Sequence, residues 1–463
     1  MTLPDLVEIV APSDVSPVLI TVPGSKSLTN RALVLAALAD GATTLRGALW
    51  SEDTEIMVDA LRTLGFDVGV EADAAEDGNR TITVQGLGGR IPNAGTPDQP
   101  LEIYVGNAGT VARFLLALLC LGDGVYRMQG TPRMHERPQG ALIDALRQLG
   151  HRIDAEGGHL PAVIYGFRFT GVDPKVASMF VRSPNLLSGD LKQGKMPSCS
   201  VSIEESSQFA SALLLSAKPG GWDVTVTGDD AEESAYVAMT AKLIEAFPQH
   251  GGEYLIEPDC SSASYFLAAG ALVPETRLRV AAWPESDWQI DGRFIDFLRR
   301  FQKQSGNLAI GQAEEAYPAV SRISDLGDSI MTAIVMAPLL PKPSRFVDLG
   351  RMRVQESERV AALRVELTKC GARVVEAGDT LEVFPSELHG AEIETYDDHR
   401  VAMCFATLGL RVPGMRIRNP NCVGKTFPNF FAKLAAPAPD GIGATVLDAA
   451  TGQALSGEAL YAD

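Results

Sequence analysis

Six segments of the chain share one design, in which a short stretch of small, polar or charged residues precedes an apolar run. These segments begin near Ser25, Asn107, Ser206, Ser261, Asp328 and Asp398. Each run is apolar nearly all round, which is typical of a helix buried inside a domain. A fold for this chain must therefore enclose six similar helices, and recurrence of this kind indicates a repeat architecture.

An amphipathic helix, a turn and an apolar strand follow most of the buried helices. Five copies are visible, and the sixth looks truncated because FPNFFAKL runs into a tail of small residues. We predict an α/β fold of two pseudo-symmetric domains, each of three α/β repeats with buried helices, an inside-out α/β barrel. The alternative is that similar helix–turn–strand patterns arose by convergence.

Two proline-containing turns mark candidate crossings between the domains. Pro23-Gly24 stands just before the first buried helix, and Pro258-Asp259 just before the fourth. The predicted divisions are 24–258 for the first domain, 1–23 plus 259–434 for the second, and 435–463 for a C-terminal tail. The tail carries no strong period, so we expect it to pack peripherally or to be mobile.

Charge and composition exclude several classes of function. Lys and Arg number 40 against 58 Asp and Glu, a net charge of −18 that argues against nucleic acid or anionic membranes as partners. No apolar run is long enough to cross a bilayer, and the start lacks the features of a secretory signal. The six cysteines are far apart, which predicts free thiols in the cytoplasm rather than disulfides or a zinc site.

Seven cations lie at or near the starts of the buried helices, in Gly-, Ser- or Asp-rich contexts. They are Lys26, Arg31, Arg113, Arg137, Arg359, Arg400 and Lys425. The unpaired N–H groups at a helix start favour anions, and fixed cations are needed to hold multiply charged ones. Each cation alone would be interpreted as a surface charge, but recurrence at corresponding positions predicts an anion site in an interdomain cleft.

Two carboxylates are candidate proton carriers, since Asp328 opens the fifth buried helix and Glu356 lies three residues before Arg359. A helix cap and an i,i+3 ion pair are the structural alternatives. The segment CVGKT is not a nucleotide P-loop, because Asn419 stands where the first glycine is needed. No metal-ligand spacing and no dinucleotide fingerprint is present, so the residues support neither a metal site nor a dinucleotide-binding site.

The chain resembles the enolpyruvyl transferases, in the branch that acts on shikimate 3-phosphate. The segments that carry the resemblance are PGSKSLTNRALVLAAL, GNAGTVARF, PRMHERP, SSQFASALL, DCSSASYFLAAGA, DSIMT, RVQESERVAAL, YDDHRVAMCF and KTFPNFF. It covers nearly the whole chain and implies two domains that close on substrate like jaws. It also implies transfer of the enolpyruvyl group of phosphoenolpyruvate to the 5-hydroxyl, with release of phosphate, in aromatic amino acid biosynthesis. A cofactor-free monomer is expected.

The resemblance assigns roles by matched position. Contacts to shikimate 3-phosphate are implied for Ser27 and Arg31 at its carboxylate, Ser206 and Ser207 at its phosphate, and Gln208 and Tyr236 beside it. Contacts to phosphoenolpyruvate are implied for Lys26, Arg137, Arg359, Arg400 and Lys425, with Asn107, Gly109 and Thr110. Asp328 is expected to accept the proton of the attacking hydroxyl, and Glu356 with Lys26 to move the proton at the methylene carbon. Gly109 and these cations predict inhibition by glyphosate, in competition with phosphoenolpyruvate.

The chain departs from the family pattern at three positions and in one segment. Arg351 and Gln355 stand where relatives have the Asn and Lys that touch the shikimate hydroxyls, and Phe114 replaces a proline. The stretch around 173–200 looks like an insertion that extends a loop. The first two departures keep open a catalytically inactive relative that binds the ligand. The sister enzyme for UDP-N-acetylglucosamine is less favoured, because TPRMHERP lacks its reactive cysteine.

Overall fold

The computed structural model describes residues 3–13, 16–167, 196–228, 234–273, 276–305 and 317–462. The chain divides into two compact units. The first unit comprises residues 24–75 and 79–256, and the second unit comprises residues 1–23, 76–78 and 257–463. No helix within the described ranges is long and apolar enough to span a bilayer.

Helices and strands alternate along both units. The helices are α1 (Lys26–Leu38), α2 (Glu52–Thr63), α3 (Gly109–Leu119), α4 (Pro132–Glu136), α5 (Gly140–Gln148), α6 (Gln208–Gly220), α7 (Ala235–Ala246), α8 (Cys260–Leu272), α9 (Phe294–Ser305), α10 (Ile330–Met336), α11 (Arg359–Lys369), α12 (His399–Gly409) and α13 (Phe430–Ala435). The strands are β1 (Leu6–Val10), β2 (Val18–Ile20), β3 (Asp40–Leu49), β4 (Val68–Ala72), β5 (Asn79–Leu87), β6 (Leu101–Tyr104), β7 (Val125–Gln129), β8 (Arg152–Ala155), β9 (Ala162–Tyr165), β10 (Ser198–Ser202), β11 (Asp223–Thr227), β12 (Gly252–Leu255), β13 (Leu278–Val280), β14 (Val320–Ser321), β15 (Ser344–Val347), β16 (Val374–Ala377), β17 (Thr380–Val383), β18 (Glu392–Ile393), β19 (Met415–Arg418) and β20 (Thr445–Asp448).

Sheet topology repeats the same pattern in each unit. The described part of the first unit has sheets ordered β12-β3-β5-β4, β6-β7-β9-β8 and β10-β11, and that of the second has β18-β19-β1-β20, β14-β15-β17-β16 and β13-β2. Every four-stranded sheet begins with a parallel pair and continues with two antiparallel pairs, and both two-stranded sheets are parallel. The predicted α/β repeat architecture is confirmed.

A parallel pair of strands needs a crossover connection, and a helix supplies it between β6 and β7, β10 and β11, β14 and β15, and β18 and β19. These helices are α3, α6, α10 and α12, and most of their residues are buried. All residues of α3 are buried, as are nearly all residues of α8, α10 and α12. The amphipathic helices follow, for example α5 before β8 and α11 before β16. The sequence pattern also predicts an apolar strand after α9, in the segment NLAI at 307–310, and this segment lies outside the described residues.

The sixth repeat is complete, which corrects the prediction of a truncated copy followed by a peripheral or mobile tail. β20 pairs antiparallel with β1, and β1 pairs antiparallel with β19 on its other edge. Val446 and Leu460 are buried in the core of the second unit. The four residues of β20 are too few to show a period in the sequence, and their partner strand lies at the opposite end of the chain.

Two further boundaries differ from the sequence prediction. Most of the predicted insertion lies outside the described residues, but its last residues enter β10, which pairs in parallel with β11. Residues 76–78, between β4 and β5, belong to the second unit. There the carboxylate of Glu76 lies 2.7 Å from the ammonium of Lys433 and accepts a 2.8 Å hydrogen bond from Asn429 Nδ2.

Candidate active site

The three buried helix starts of the first unit are joined by side-chain hydrogen bonds. Asn30 Nδ2, in α1, donates to Thr110 Oγ1, in α3, at 2.7 Å. Arg113 Nη1, also in α3, donates to Gln208 Oε1 at the start of α6 at 3.4 Å. The N-cap residues of these helices make no side-chain capping bond. The structure thus places the predicted residues of this unit at neighbouring helix starts that their N-cap side chains leave uncapped, and such helix starts favour anions.

Arg31 is the most enclosed of the predicted cations in this unit, with 1% of its surface exposed. Its guanidinium donates to Thr240 Oγ1 at 2.7 Å, to the Ser27 carbonyl at 2.8 Å and to Ser211 Oγ at 3.0 Å. Burial lowers the pKa of Arg31 to about 10, so it remains charged at neutral pH. The unexpected Phe114 lies beneath it, with its ring centre 5.0 Å from the guanidinium carbon.

Arg137 and Gly109 meet at the start of α3. Arg137 Nη1 donates to the Asn107 carbonyl at 2.9 Å and to Asn107 Oδ1 at 3.3 Å. A Cβ added at Gly109 would lie 2.6 Å from Arg113 Nη1 and 2.7 Å from Arg137 Nη2. Only glycine therefore lets both guanidinium groups approach this turn.

Lys26 has a partner that the sequence interpretation did not identify. Its ammonium lies 3.0 Å from Asp53 Oδ2, and the Asp53 side chain is only 2% exposed. Asp53 belongs to the first turn of α2, an amphipathic helix that begins after Ser51 in a capping box. The acidic stretch SEDTE was the available signal, but it is also the ordinary start of a surface helix.

The remaining predicted residues of the first unit stand near the same helix starts. Ser27 is the second residue of α1, and Ser207 is the N-cap of α6. Ser206 Oγ accepts a 3.2 Å hydrogen bond from the Gln208 backbone N–H, which orders the turn before α6. Tyr236 is half-buried in the first turn of α7. All five residues present hydroxyl or amide groups that suit a phosphorylated polyol.

In the second unit, Asp328 lies between two arginines just before α10. Arg322 Nη2 donates to Asp328 Oδ1 at 2.6 Å, and Arg400 Nη2 lies 3.3 Å from Oδ2. Burial alone would raise the pKa of Asp328, but the charges of Arg400, Arg322 and Arg359 outweigh burial and hold that pKa well below its usual range. Asp328 is therefore a carboxylate, as acceptance of a proton requires.

Arg322 was not among the predicted cations. Its side chain is 7% exposed, and its Nε has no hydrogen-bond partner among the described residues. It begins a short, widened helical turn, Arg322–Leu326, which precedes the 3₁₀ turn Gly327–Ser329 that carries Asp328. No sequence signal marks an arginine in such an irregular stretch, because local periodicity is absent there.

Arg359 is held by a set of acceptors at the start of α11. Its Nε lies 2.7 Å from Asp398 Oδ2, and its Nη2 lies 3.1 Å from Asp398 Oδ1 and 2.9 Å from Glu356 Oε2. Its Nη1 donates to Gln355 Oε1 at 2.7 Å. The i,i+3 ion pair of Glu356 with Arg359, which was the structural alternative to a proton-carrying role, is thus present, and Gln355 is part of the same cluster. Asp398, the N-cap of α12, was visible in DDHR but was not assigned a role.

Arg400 joins three elements of the second unit. Its Nη1 donates to Ser261 Oγ, and lies 3.3 Å from Tyr265 Oη in the same helix, α8. Lys425 is 6% exposed and ends the 3₁₀ helix Pro420–Lys425. Arg351 is half-buried in the 3₁₀ helix Gly350–Val354. Within the described parts of the chain, no group of three or more His, Cys, Asp or Glu side chains is placed to hold a metal ion.

Comparison with known proteins identifies the family of this chain. The profile described as EPSP synthase (3-phosphoshikimate 1-carboxyvinyltransferase) matches residues 11–434. Among curated relatives, the 3-phosphoshikimate 1-carboxyvinyltransferase of Trichormus variabilis is 34% identical, over 90% of this chain and 95% of its own length. That of Opitutus terrae is 37% identical, over 94% of this chain and 98% of its own length.

Solved structures show the same fold. The EPSP synthase of Acinetobacter baumannii superposes with a TM-score of 0.66 at 22% identity, covering 95% of this chain and 99% of its own. The enolpyruvyl transferase NikO of Streptomyces tendae gives a TM-score of 0.64 at 14% identity, covering 96% and 98%. Taken with the profile match and the relatives above 30% identity, these likenesses lead to one conclusion: the chain belongs to the EPSP synthase family.

Proposed function

We propose that this chain is a transferase that moves the enolpyruvyl group of phosphoenolpyruvate to the 5-hydroxyl of shikimate 3-phosphate and releases phosphate. Family membership over 11–434 supports the reaction, as do full-length relatives named 3-phosphoshikimate 1-carboxyvinyltransferase. The observation that carries the proposal is the Asp328 carboxylate held between Arg322 and Arg400. A base fixed beside fixed cations is what addition of an alcohol to an anionic enol ether requires.

The first unit is proposed to hold the permanent anions. Both substrates carry a carboxylate and a phosphate, so they repel one another unless cations offset the repulsion. We assign the shikimate carboxylate to Ser27 and Arg31, and its 3-phosphate to Ser206 and Ser207. Gln208 lies beside them and is oriented by the 3.4 Å hydrogen bond from Arg113. Tyr236 is assigned to the same substrate.

Phosphoenolpyruvate is proposed to bind the remaining fixed cations. Support comes from burial, because Arg137, Arg359 and Lys425 are each at most 6% exposed and so are held in place by their surroundings. The proposed set is Lys26, Arg137, Arg359, Arg400 and Lys425, with the amides of Asn107, Gly109 and Thr110. Cations fixed before substrate arrives stabilise the departing phosphate without reorganisation.

The proton transfers are assigned to three residues. Asp328 accepts the proton of the 5-hydroxyl as the oxygen attacks the substituted carbon of the enol ether. Glu356, which lies 2.9 Å from Arg359, delivers the proton to the methylene carbon and removes one again as phosphate leaves. Lys26 is proposed to assist, and its pairing with Asp53 at 3.0 Å holds its ammonium in place. The tetrahedral intermediate between these two steps carries both substrates.

Phosphate release with shikimate 3-phosphate as the acceptor tests the proposal, run beside UDP-N-acetylglucosamine and beside Lys26→Ala. A matched control is Arg46→Ala, since Arg46 forms an exposed pair with Glu253. Release with shikimate 3-phosphate alone, lost in Lys26→Ala and kept in Arg46→Ala, supports the assignment. Binding of shikimate 3-phosphate without release identifies an inactive relative, which Arg351 and Gln355 first suggested.

We also propose how the protein responds to glyphosate, its oligomeric state and its location in the cell. Glyphosate is proposed to inhibit in competition with phosphoenolpyruvate, on the grounds of Gly109 and the cations around it; inhibition without competition contradicts this. The chain is proposed to act as a monomer, which sedimentation velocity tests. A cytoplasmic location is proposed because all six cysteines are free thiols, five of them buried, and cell fractionation tests it.

A further inference from the structure

Asp291 is a buried carboxylate behind Asp328 that the proposed chemistry does not use. It belongs to the 3₁₀ helix Ile290–Arg293 and is 6% exposed. Its Oδ1 accepts a 2.6 Å hydrogen bond from the backbone N–H of Ser329. Its Oδ2 lies 2.9 Å from the position that a Cβ on Gly327 would occupy. Asp291 therefore contacts the turn on both sides of Asp328.

That turn has an unusual backbone conformation, and Asp291 supports it from outside in addition to the internal 2.6 Å hydrogen bond that Ser329 Oγ donates to the Leu326 carbonyl. Gly327 has a φ of +57°, a conformation that residues with side chains rarely adopt, and Ser329 makes no capping bond to α10. The hydrogen bond from Ser329 to Asp291 is thus a fixed link between the turn and a neighbouring element. The carboxyl group of Asp291 can accept this backbone N–H whether or not it is ionised, because an acceptor oxygen remains in both states.

Several charged groups face Asp291 from the elements packed around it. These are Asp328 in the turn, Arg400 in α12 and Asp259 at the start of α8, with the Cys260 thiol beside Asp259. Burial first, and then the charges of Asp328 and Asp259, raise the pKa of Asp291 to about 7, against the opposing effect of Arg400. Arg322 pairs with Asp328 instead.

We propose that Asp291 is a positioning residue for Asp328. It fixes the Gly327–Ser329 turn, and its own charge changes how strongly the Asp328 carboxylate binds a proton. The inference rests on the proposed function. While Asp291 carries a proton, Asp328 faces two arginines and is a weak base. When Asp291 loses that proton, the added negative charge makes Asp328 a stronger base, so turnover should rise with pH near neutrality.

The kinetic test compares Asp291→Asn and Asp291→Ala with Asp296→Asn, an exposed control in α9. We expect the kcat of the unaltered protein to rise about 3-fold or more from pH 6 to pH 8, and the kcat of Asp291→Asn to be flat. Asp291→Ala, which also loses the acceptor for Ser329, should lower kcat about 10-fold or more at every pH, with the KM for shikimate 3-phosphate within about 3-fold. An unchanged pH profile in Asp291→Asn, or a normal kcat in Asp291→Ala, overturns the proposal.

A second measurement needs no turnover. Since Asp291 holds its proton to a higher pH in the folded chain than in the unfolded chain, its presence should lower stability as pH rises from about 4 to about 7. The melting temperature of Asp291→Asn relative to the unaltered protein should therefore be higher at pH 8 than at pH 5. Equal differences at both pH values overturn the charge role of Asp291. If the unaltered protein releases no phosphate, the proposed function fails while this comparison still decides the state of Asp291.

Discussion

The two units hold the arginines of the candidate site by different means. In the first unit, Arg31 donates to hydroxyls and a carbonyl, and Arg137 donates to a backbone carbonyl and a side-chain amide. In the second unit, Arg359 pairs with Asp398 and Glu356. Two of the three buried helix starts in the second unit differ in the same sense, because aspartates cap α8 and α12, whereas the N-caps of α10 and of α1, α3 and α6 in the first unit make no side-chain capping bond.

The difference indicates a division of labour. Neutral acceptors orient a guanidinium without offsetting its charge, so the first unit suits anionic groups whose protonation state the reaction does not change. Carboxylates in the second unit offset the arginine charges, and they can themselves accept protons. Among the predicted site cations of the first unit, Lys26 is the exception because it pairs with Asp53, and Lys26 is also the one residue of this unit with a proposed part in proton transfer.

The largest expected effect is at Asp328, in the second unit. Asp328→Asn keeps the shape of the side chain but removes the proton acceptor, so we expect kcat to fall about 10²- to 10⁴-fold. The KM for shikimate 3-phosphate should stay within about 5-fold, since binding is assigned to the other unit. The measurement is the rate of phosphate release as a function of shikimate 3-phosphate concentration, with the exposed Asp296→Asn variant as the control. A large rise in KM with normal kcat would break the proposed division.

In the first unit, Gly109→Ala should act through Arg137. The added methyl group would lie 2.7 Å from Arg137 Nη2, so the guanidinium must move. We expect the KM for phosphoenolpyruvate to rise about 10- to 100-fold, because small displacements of a binding group are costly. Gly140→Ala is the matched control, since a Cβ there meets nothing within 4 Å. Steady-state kinetics that leave this KM unchanged would contradict the role of Arg137.

The pH dependence of stability should also distinguish the units. His151 packs edge-on against Trp222 in the first unit, and burial lowers its pKa to about 4. Below about pH 6.5, the unfolded chain therefore binds a proton at His151 that the folded chain does not bind. This difference lowers the free energy of unfolding by about 2 kcal/mol at pH 5 relative to pH 7. We expect His151→Phe to remove this loss, about 4–8 °C in melting temperature.

The matched control for that experiment is the exposed His250→Phe. Melting curves at pH 5 and pH 7 for both variants give the comparison. Asp291, in the second unit, is expected to act in the opposite direction, losing stability as pH rises. If the His151→Phe variant loses as much stability between pH 7 and pH 5 as the unaltered protein does, His151 is not the cause of that loss.

The smallest effect is expected at Gln355. Its Oε1 accepts from Arg359 at 2.7 Å, one of four acceptor contacts around that guanidinium. Gln355→Ala should raise the KM for phosphoenolpyruvate about 3-fold, the value of one such hydrogen bond. Isothermal titration with shikimate 3-phosphate is the complementary measurement. A larger loss of affinity for that ligand would place Gln355 against shikimate instead, as the family pattern implied.

Sequence reasoning was most effective where a signal is local. A helix such as α3 is apolar on every side, and this alone predicts its burial. The cations at the helix starts were found because they recur beside glycine and serine. Arg322 and Asp291 were missed because both lie in irregular turns, where no periodicity relates them to Asp328. Asp53 was missed because it sits in an ordinary acidic helix start.

The closure of the sixth sheet has a consequence for synthesis on the ribosome. β1 is synthesised well before its partner strands β19 and β20, yet Leu6 pairs with Arg418 and Val7 pairs with Asp448. The first unit, 24–75 with 79–256, is available to fold long before those partners are made. β1 must meanwhile remain unpaired, as an exposed strand that other chains could capture. We therefore expect chaperone contacts during translation to concentrate on this N-terminal segment.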